Sequence, residues 1–407
     1  MDKEAYLVLR VTGSDSDAGF DLLESAVRSG ESAAPASAQV EYRVDSQVLD
    51  EQELRELRHD REVAVIAQPM PMQRIEPIPR AASAQEPAPI DGATWGVHVT
   101  GALQSPYLGY GVSVAVLDTG IDASHEAFRG VELVQKDFTG EGDGDTDGHG
   151  THVAGTIFGQ SGSGPRYAVA PGVRRALIGK VIGQRQSTTT KDIIDAIQWA
   201  ADEGAHIVNM SLGFDFPGLV QRWAERGLPV KLATSRALAQ YRDNVRFFDA
   251  TMNLLRARAA RFNSALVVAA AGNESQRETR RDYAIEVSPP AAADGTVAVA
   301  ALRSLGAPHT ALGVAPFSNI RVALAAPGVD IYSAQRNGGY AFKSGTSMAS
   351  PHVAGIAALW AERQLKRTGQ VNAGALDAQL RGNARLDRLK DAQYLDVGEG
   401  LVTAPRD

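Results

Sequence analysis

Gly345-Thr346-Ser347-Met348-Ala349-Ser350-Pro351-His352-Val353-Ala354-Gly355 runs from small residues into the apolar segment Ile356-Ala357-Ala358-Leu359-Trp360. The pattern predicts a tight turn feeding a buried helix. Pro351 is expected in the first helical turn, where a missing N–H costs little. Ser347 then stands at or near the helix N-terminus, with unpaired backbone donors beside it and the positive end of the helix dipole behind it. That place suits a hydroxyl nucleophile whose attack creates an oxyanion. Serine is equally at home there as a helix cap. The choice turns on whether the rest of the chain supplies a base and an orienting acid.

From Trp95 onward, short apolar runs alternate with helical patterns. Val112–Leu117, Ala176–Ile182, Ile207–Leu212, Leu266–Ala271, Thr296–Leu302 and Val322–Ala325 read as strands, and Lys191–Glu203 as a helix. Nearly continuous apolar strands between helices predict an α/β fold whose mostly parallel sheet is covered on both faces. Functional groups in such sheets gather at the carboxyl ends of the strands.

Three polar residues fall at such places. Asp118 ends the VSVAVL run, before Thr119 and Gly120; alone it reads as a turn residue. His149, in Asp147-Gly148-His149-Gly150-Thr151-His152, enters a small-residue helix, and its imidazole can take a proton near neutral pH. His149 and His152 have a spacing that suits zinc, but no third ligand of comparable clarity accompanies them. Asn273 follows the LVVAAA run and Gly272, where its amide can donate to a developing oxyanion or merely close a turn. Acid, base, amide and serine together, in the order Asp, His, Ser, match one known arrangement for acyl transfer.

With VAVLDTGID around Asp118, DGHGTHVAGT around His149, VNMSLG at 208–213, VVAAAGNE at 267–274 and SGTSMASPHVAG around Ser347, the chain resembles the subtilisin-like serine peptidases over residues 93–365. The resemblance implies a subtilisin-like three-layer fold and a serine endopeptidase. Ser347 would be the nucleophile, His149 the general base and Asp118 its orienting acid, and Asn273 with the Ser347 N–H the oxyanion hole. Ser211-Leu212-Gly213 would pair with an extended substrate by backbone hydrogen bonds, and Glu274 would lie near the rim of the pocket for the residue before the cut. No cofactor is implied for the chemistry. A non-catalytic binder on the same fold, or an esterase, are the competing readings.

Residues 1–68 read as a small α+β unit of ferredoxin-like order. The strands are Tyr6–Val11, Gln39–Val44 and Glu62–Gln68, and the helices Asp17–Arg28 and Asp50–His59, with Asp50 as a cap. Residues 69–92 carry six prolines (Pro69, Pro71, Pro77, Pro79, Pro87 and Pro89), which predicts an extended linker. Beside the resemblance, residues 1–68 become a propeptide or inhibitor-like prodomain acting in cis. Residues 69–92 become a linker holding the processing site, with a tail in the substrate cleft, and residues 93–407 the peptidase domain.

The family pattern is departed from in two places. One calcium site of secreted relatives loses its acid to Ala127 and its loop to Gln160-Ser161-Gly162-Ser163-Gly164. Glu141, Asp143, Asp145 and Asp147 offer a second set of hard oxygens for structural calcium, or a solvated acidic turn. Residues of about 214–262 exceed what the family core needs and read as an inserted helical hairpin or one extended helix, rich in arginine. It would either wall or lid the cleft, or pack on the outer face.

A net charge of −7 with no long basic run gives no footing for nucleic acid. The absence of cysteine excludes disulfides and thiolate chemistry. The first apolar run, Ala5–Val11, is short and broken by Arg10, unlike a signal-peptide core. No stretch approaches the ~18 apolar residues of a membrane span. The expectation is a cytoplasmic protein acting on polypeptides, with no membrane partner.

Overall fold

A computed structural model of the chain describes residues 3–12, 41–80, 88–184, 188–259 and 265–407. Its centre is an eight-stranded sheet. Strands β5 (Ser113–Asp118), β6 (Glu132–Asp137), β7 (Arg175–Lys180), β8 (Ile207–Met210), β10 (Leu266–Ala270), β11 (Thr296–Ser304) and β13 (Leu324–Pro327) run parallel, and β12 (Leu312–Val314) is antiparallel to β11. The order is β12-β11-β10-β8-β5-β7-β6, with β13 also on β11. Every residue of β8 and β10 is buried, as expected for strands covered on both faces. Helix α3 (His149–Phe158) packs with the long α7 (Thr346–Thr368), and α4 (Thr190–Asp202) packs with α6 (Val230–Ala259). The α/β arrangement expected from the sequence, a mostly parallel sheet between helices, is the fold found.

Two strand readings shift. Ile207–Leu212 divides at Ser211: β8 stays in the sheet, and β9 (Leu212–Phe214) leaves it to pair elsewhere. The strand read at Val322–Ala325 lies instead at Leu324–Pro327. Pro351 is also corrected, because α7 already begins at Thr346 and places this proline inside the helix. Its missing N–H would have served the carbonyl of Ser347. That carbonyl accepts the Ser211 hydroxyl instead, at 3.4 Å.

At the N-terminus, β1 (Glu4–Thr12) lies between β2 (Glu41–Leu49) and β3 (Val63–Ala67), antiparallel to both. Asp50 caps α1 (Glu51–Leu57) in a reciprocal box: its carboxylate accepts from Glu53 N at 3.0 Å, and the Glu53 carboxylate accepts from Asp50 N at 2.8 Å. The helix read at Asp17–Arg28 lies outside the described residues. Leu7, Leu9 and Val11 alternate onto the sheet face that joins the main core. Strand β3 lies against α6, so the two units share one continuous apolar interior.

The read insertion is a helical hairpin, α5 (Phe216–Glu225) followed by α6. No described helix is long and apolar enough to cross a membrane.

Glu362 of α7 is 1% exposed, yet its Oε2 accepts from the backbone N–H of Leu108, Gly109 and Tyr110 at 2.7, 2.7 and 3.1 Å. Lys366 pairs with it at 2.6 Å. Burial works to raise its pKa, but the Lys366 ammonium and the three amides prevail and lower it. A depressed folded-state pKa gives stability that is fully present above the unfolded value of about 4.3 and lost as pH falls through the folded value. Glu362→Gln is expected to lose about 1–3 kcal/mol at pH 7. Denaturant titrations should show that deficit shrinking below about pH 4.

Candidate active site

Asp118 is the last residue of β5, at the carboxyl edge of the sheet, and His149 is the first of α3. His149 Nδ1 donates to Asp118 Oδ1 at 2.7 Å, and both side chains are essentially buried. The same oxygen accepts from Thr119 N at 2.8 Å. So close an approach of helix to strand requires Gly150. A Cβ there would stand 2.1 Å from the Gly120 carbonyl oxygen and 3.3 Å from the Asp118 Cβ. Gly148, the residue before α3, has φ of 98°, a conformation that glycine adopts without strain.

The loop leading to His149 is built around Asp145. Its Oδ1 accepts from the Thr119 hydroxyl at 2.9 Å, Asp147 N at 3.0 Å and Gly148 N at 2.7 Å; its Oδ2 accepts from Thr151 N at 2.9 Å and the Thr151 hydroxyl at 2.5 Å. Thr119 Oγ1 in turn accepts from Gly150 N at 2.9 Å. The calcium expectation for this loop is not met by its geometry. Asp145 spends its oxygens inside the loop, Asp147 pairs with Arg74, Glu141 accepts from Gln184 N, and Asp143 is exposed. Among the described residues no group of three or more acids and histidines is placed to hold a metal ion. His152 turns Nε2 to the carbonyls of Ile331 and Ala341 at 3.0 and 3.1 Å. Burial, with the Lys343 charge nearby, holds it neutral, well below the ordinary histidine range.

Ser347 is the second residue of α7 and fully buried beneath residues of the segment before Trp95. Asn273 is fixed by its oxygen, which accepts from Thr346 N and the Thr346 hydroxyl, both at 2.9 Å. This directs Nδ2 into the cleft, where it donates to the Glu76 carbonyl at 2.8 Å. The Ser347 hydroxyl donates to the carbonyl of Ile75 at 3.4 Å, while His149 Nε2 is buried without a hydrogen-bond partner among the described residues. A strand of the chain's own N-terminal segment and the residues after it connect these groups: Arg74 pairs with Asp147, two residues before His149, Ile75 meets Ser347 and Glu76 meets Asn273.

That strand, β4 (Met72–Arg74), pairs antiparallel with β9, setting Gln73 opposite Gly213 and Arg74 opposite Leu212. Ile75 N reaches Ser211 O at 3.5 Å. On its other edge Met72 N donates to Thr188 O at 2.7 Å, and beyond the serine Ile78 N donates to Ser344 O at 2.8 Å. Arg74 is ion-paired with Asp147 and Glu76, and Arg80 with Asp330 at 2.9 Å. Glu274 is exposed but not free, since its carboxylate accepts from Asn319 Nδ2 at 2.6 Å. Thr188, Ser344, Thr346 and Asp330 were not singled out from the sequence. The capping box of Thr189 and Asp192 at the start of α4 is the local signal that marked the edge where Thr188 sits.

A hydroxyl at a helix start, an imidazole bonded to a buried carboxylate and an oriented amide, in one cleft of a parallel α/β sheet, define a serine hydrolase. The model of the subtilase family, Peptidase_S8, matches residues 109–387, and the chain belongs to that family. It is a subtilisin-like serine endopeptidase by class. M-protease of Shouchella clausii (strain KSM-K16) is 31% identical over 391 residues, covering 90% of this chain and 86% of that protein. A thermophilic serine proteinase of Bacillus sp. (strain AK1) is 33% identical over 260 residues, 62% of this chain and about half, 53%, of that protein. The crystal structure of a cold-adapted subtilisin-like serine proteinase superposes with a TM-score of 0.55 and 27% identity, over 78% of this chain and 100% of that one.

Asp145→Asn tests the frame of the loop, because it keeps the shape but turns an acceptor into a donor facing Thr151. The expected result is a loss of about 1–3 kcal/mol in denaturant unfolding, with a fall in kcat from the displaced His149. Unaltered stability would show that the Asp145 bonds do not hold the loop.

Proposed function

We propose that the chain is the self-inhibited precursor of a serine endopeptidase, with residues 1–68 as an inhibitory prodomain, 69–92 as the linker that is cut, and 93–407 as the peptidase. The observation that carries this reading is the path of residues 72–78: Met72–Arg74 pair with β9, and the carbonyls of Ile75 and Glu76 then meet Ser347 and Asn273. Polypeptide substrates are bound in this way by sheet edges. The match to M-protease leaves only about a tenth of the chain outside, so it takes in residues well before Trp95. That supports the N-terminal unit as part of the same inherited protein.

In the mature enzyme, Ser347 Oγ attacks the peptide carbonyl and His149 Nε2 accepts its proton. His149 then returns the proton to the departing amine, while Asp118 holds the ring and stabilises the imidazolium. The developing oxyanion is met by Asn273 Nδ2 and the Ser347 N–H at the start of α7. Water completes the second half of the cycle and frees the serine.

The tail is seated so that these groups do not converge. The Ser347 hydroxyl bonds the Ile75 carbonyl oxygen, and the Asn273 amide bonds the next carbonyl, that of Glu76. A productive complex needs the amide and the attack on a single carbonyl. The division between two neighbours supports an inhibitory role for the segment, and Pro77 immediately after it removes a donor that a bound substrate would offer.

A fluorophosphonate probe and N-terminal sequencing test the proposal together. The wild-type protein is expected to acquire a new N-terminus within 69–92 and to label at Ser347. Full-length Ser347→Ala should stay intact and unlabelled, and equal processing of the two would overturn the reading. Asn273→Leu is expected to lower kcat by about 10²–10³ with little change in KM, the loss measured for such a donor in a relative of this family. Asp147, which holds Arg74, should favour a basic residue at that position of a substrate. Asp147→Asn is expected to reduce kcat/KM for a peptide with Arg there by about tenfold, and much less for its Ala counterpart.

A further inference from the structure

Upstream of β4, the peptidase grips the chain by groups the catalytic cleft does not use. Three successive carbonyls are taken. Asn244 Nδ2 donates to the Gln68 carbonyl at 2.7 Å, Gln240 Nε2 to the Pro69 carbonyl at 2.8 Å, and Thr190 N to the Met70 carbonyl at 3.1 Å. Met70 N donates to Thr190 Oγ1 at 3.1 Å, and that hydroxyl donates to Asn244 Oδ1 at 2.5 Å. Thr190 and Asn244 are wholly buried, and Gln240 is 8% exposed. The Met70 side chain is fully buried, and that of Met72 nearly so.

We propose that Thr190, Gln240 and Asn244 form a substrate subsite beyond the cleft, which holds the main chain of an extended polypeptide and takes an apolar side chain at the place of Met70. This rests on the reading of the tail as occupying the substrate path. Residues 68–75 run without interruption from this cluster onto β9. A polypeptide that pairs with Leu212–Phe214 in the register of Met72–Arg74, and stays extended, therefore carries its upstream residues over the same donors. The donors come from two elements: the first residue of α4 and the middle of α6, the long helix of the insertion. Thr190 N belongs to a first helical turn and has no partner within its own helix. The amides of Gln240 and Asn244 lie beside it and are directed at the strand. Because the three contacts are to carbonyls, the site reads chain direction and extension more than sequence. Sequence enters through the apolar place of Met70. The substrate class that follows is a polypeptide segment free to lie extended well upstream of the cut, in preference to short peptides.

The test uses two peptide p-nitroanilides on the activated wild-type protein, one with the acyl sequence Met72–Ile75 and the other with Gln68–Ile75. The longer should be hydrolysed with kcat/KM about tenfold higher, chiefly through KM, from the added main-chain bonds and the buried apolar side chain. The advantage of the longer peptide should fall several-fold in Gln240→Ala, whose side chain lies at the rim of the cluster, and also when the residue matching Met70 is made Asp. Equal kcat/KM for the two peptides overturns the subsite, as does an advantage that persists unchanged in Gln240→Ala. Neither result touches the endopeptidase reading. That reading fails separately if neither peptide is hydrolysed faster by wild type than by Ser347→Ala.

Discussion

The bond between His149 Nδ1 and Asp118 Oδ1, 2.7 Å long and shut away from water, sets the terms for much of the molecule. A carboxylate so buried is costly unless it is paired and hydrogen-bonded. One partner, Thr119 N, is its neighbour in the chain, and the other, His149, must arrive from a distant part. The parallel sheet supplies one by ending β5 at the edge where loops gather. Helix α3 supplies the other, and it comes close enough only because Gly150 has no side chain to strike the Gly120 carbonyl. The carboxylate of Asp145 ties the strand end to the helix start through Thr119 and Thr151. The imidazole is thus positioned by a frame of hydrogen bonds made within the loop and the helix start, none of them to the segment that fills the cleft, which suits preorganised catalysis.

The serine side follows a similar logic with different means. Thr346 fixes the oxygen end of Asn273, so its donor end can point only into the cleft. Pro351 leaves the Ser347 carbonyl without its helical bond, and the Ser211 hydroxyl, itself 3.1 Å from that of Ser350, takes up that carbonyl. Ser211 is also where the chain leaves the large sheet and β9 begins. One residue thereby couples the helix that carries Ser347 to the strand that pairs with Met72–Arg74. A displacement of β9 would be felt at the start of α7.

The motifs around Asp118, His149, Asn273 and Ser347 were legible because each is local: a strand end, a glycine, a helix start. The alternation of apolar strands and helices was legible for the same reason, and Asp50 could be named as a cap from its place before Leu54 and Leu57. What could not be read depends on contacts across the fold. The split at Ser211 is not marked within the apolar run Ile207–Leu212, and only the resemblance set Ser211-Leu212-Gly213 apart as a pairing strand. Four acids in one loop looked like metal ligands because spacing does not reveal that Asp145 is consumed by Thr119 and Thr151, and Asp147 by Arg74. Glu274 was read as a charge at a pocket rim, and nothing local announces that Asn319 holds its carboxylate. Thr190, Gln240 and Asn244 carry no motif at all. Their role arises only when Gln68, Pro69 and Met70 are laid beside them.

The insertion was expected either to wall or lid the cleft or to pack on the outer face. Helix α6 runs beside the sheet unit formed by β1, β2 and β3, lends apolar residues to a shared core, and turns Gln240 and Asn244 toward the strand that leaves that unit. A bare strand edge is a liability as well as a binding site, because it will pair with any extended chain. Here the edge of β9 and the donors of α4 and α6 form one continuous track, filled by the protein's own segment. Main-chain hydrogen bonds alone would make that filling weakly selective. The joint apolar interior, through Leu7, Leu9 and Val11, gives the chain's own segment an advantage that no free peptide shares. On the proposed reading, inhibition in cis is strong although the main-chain bonds the tail makes to the track are ones a substrate can also make.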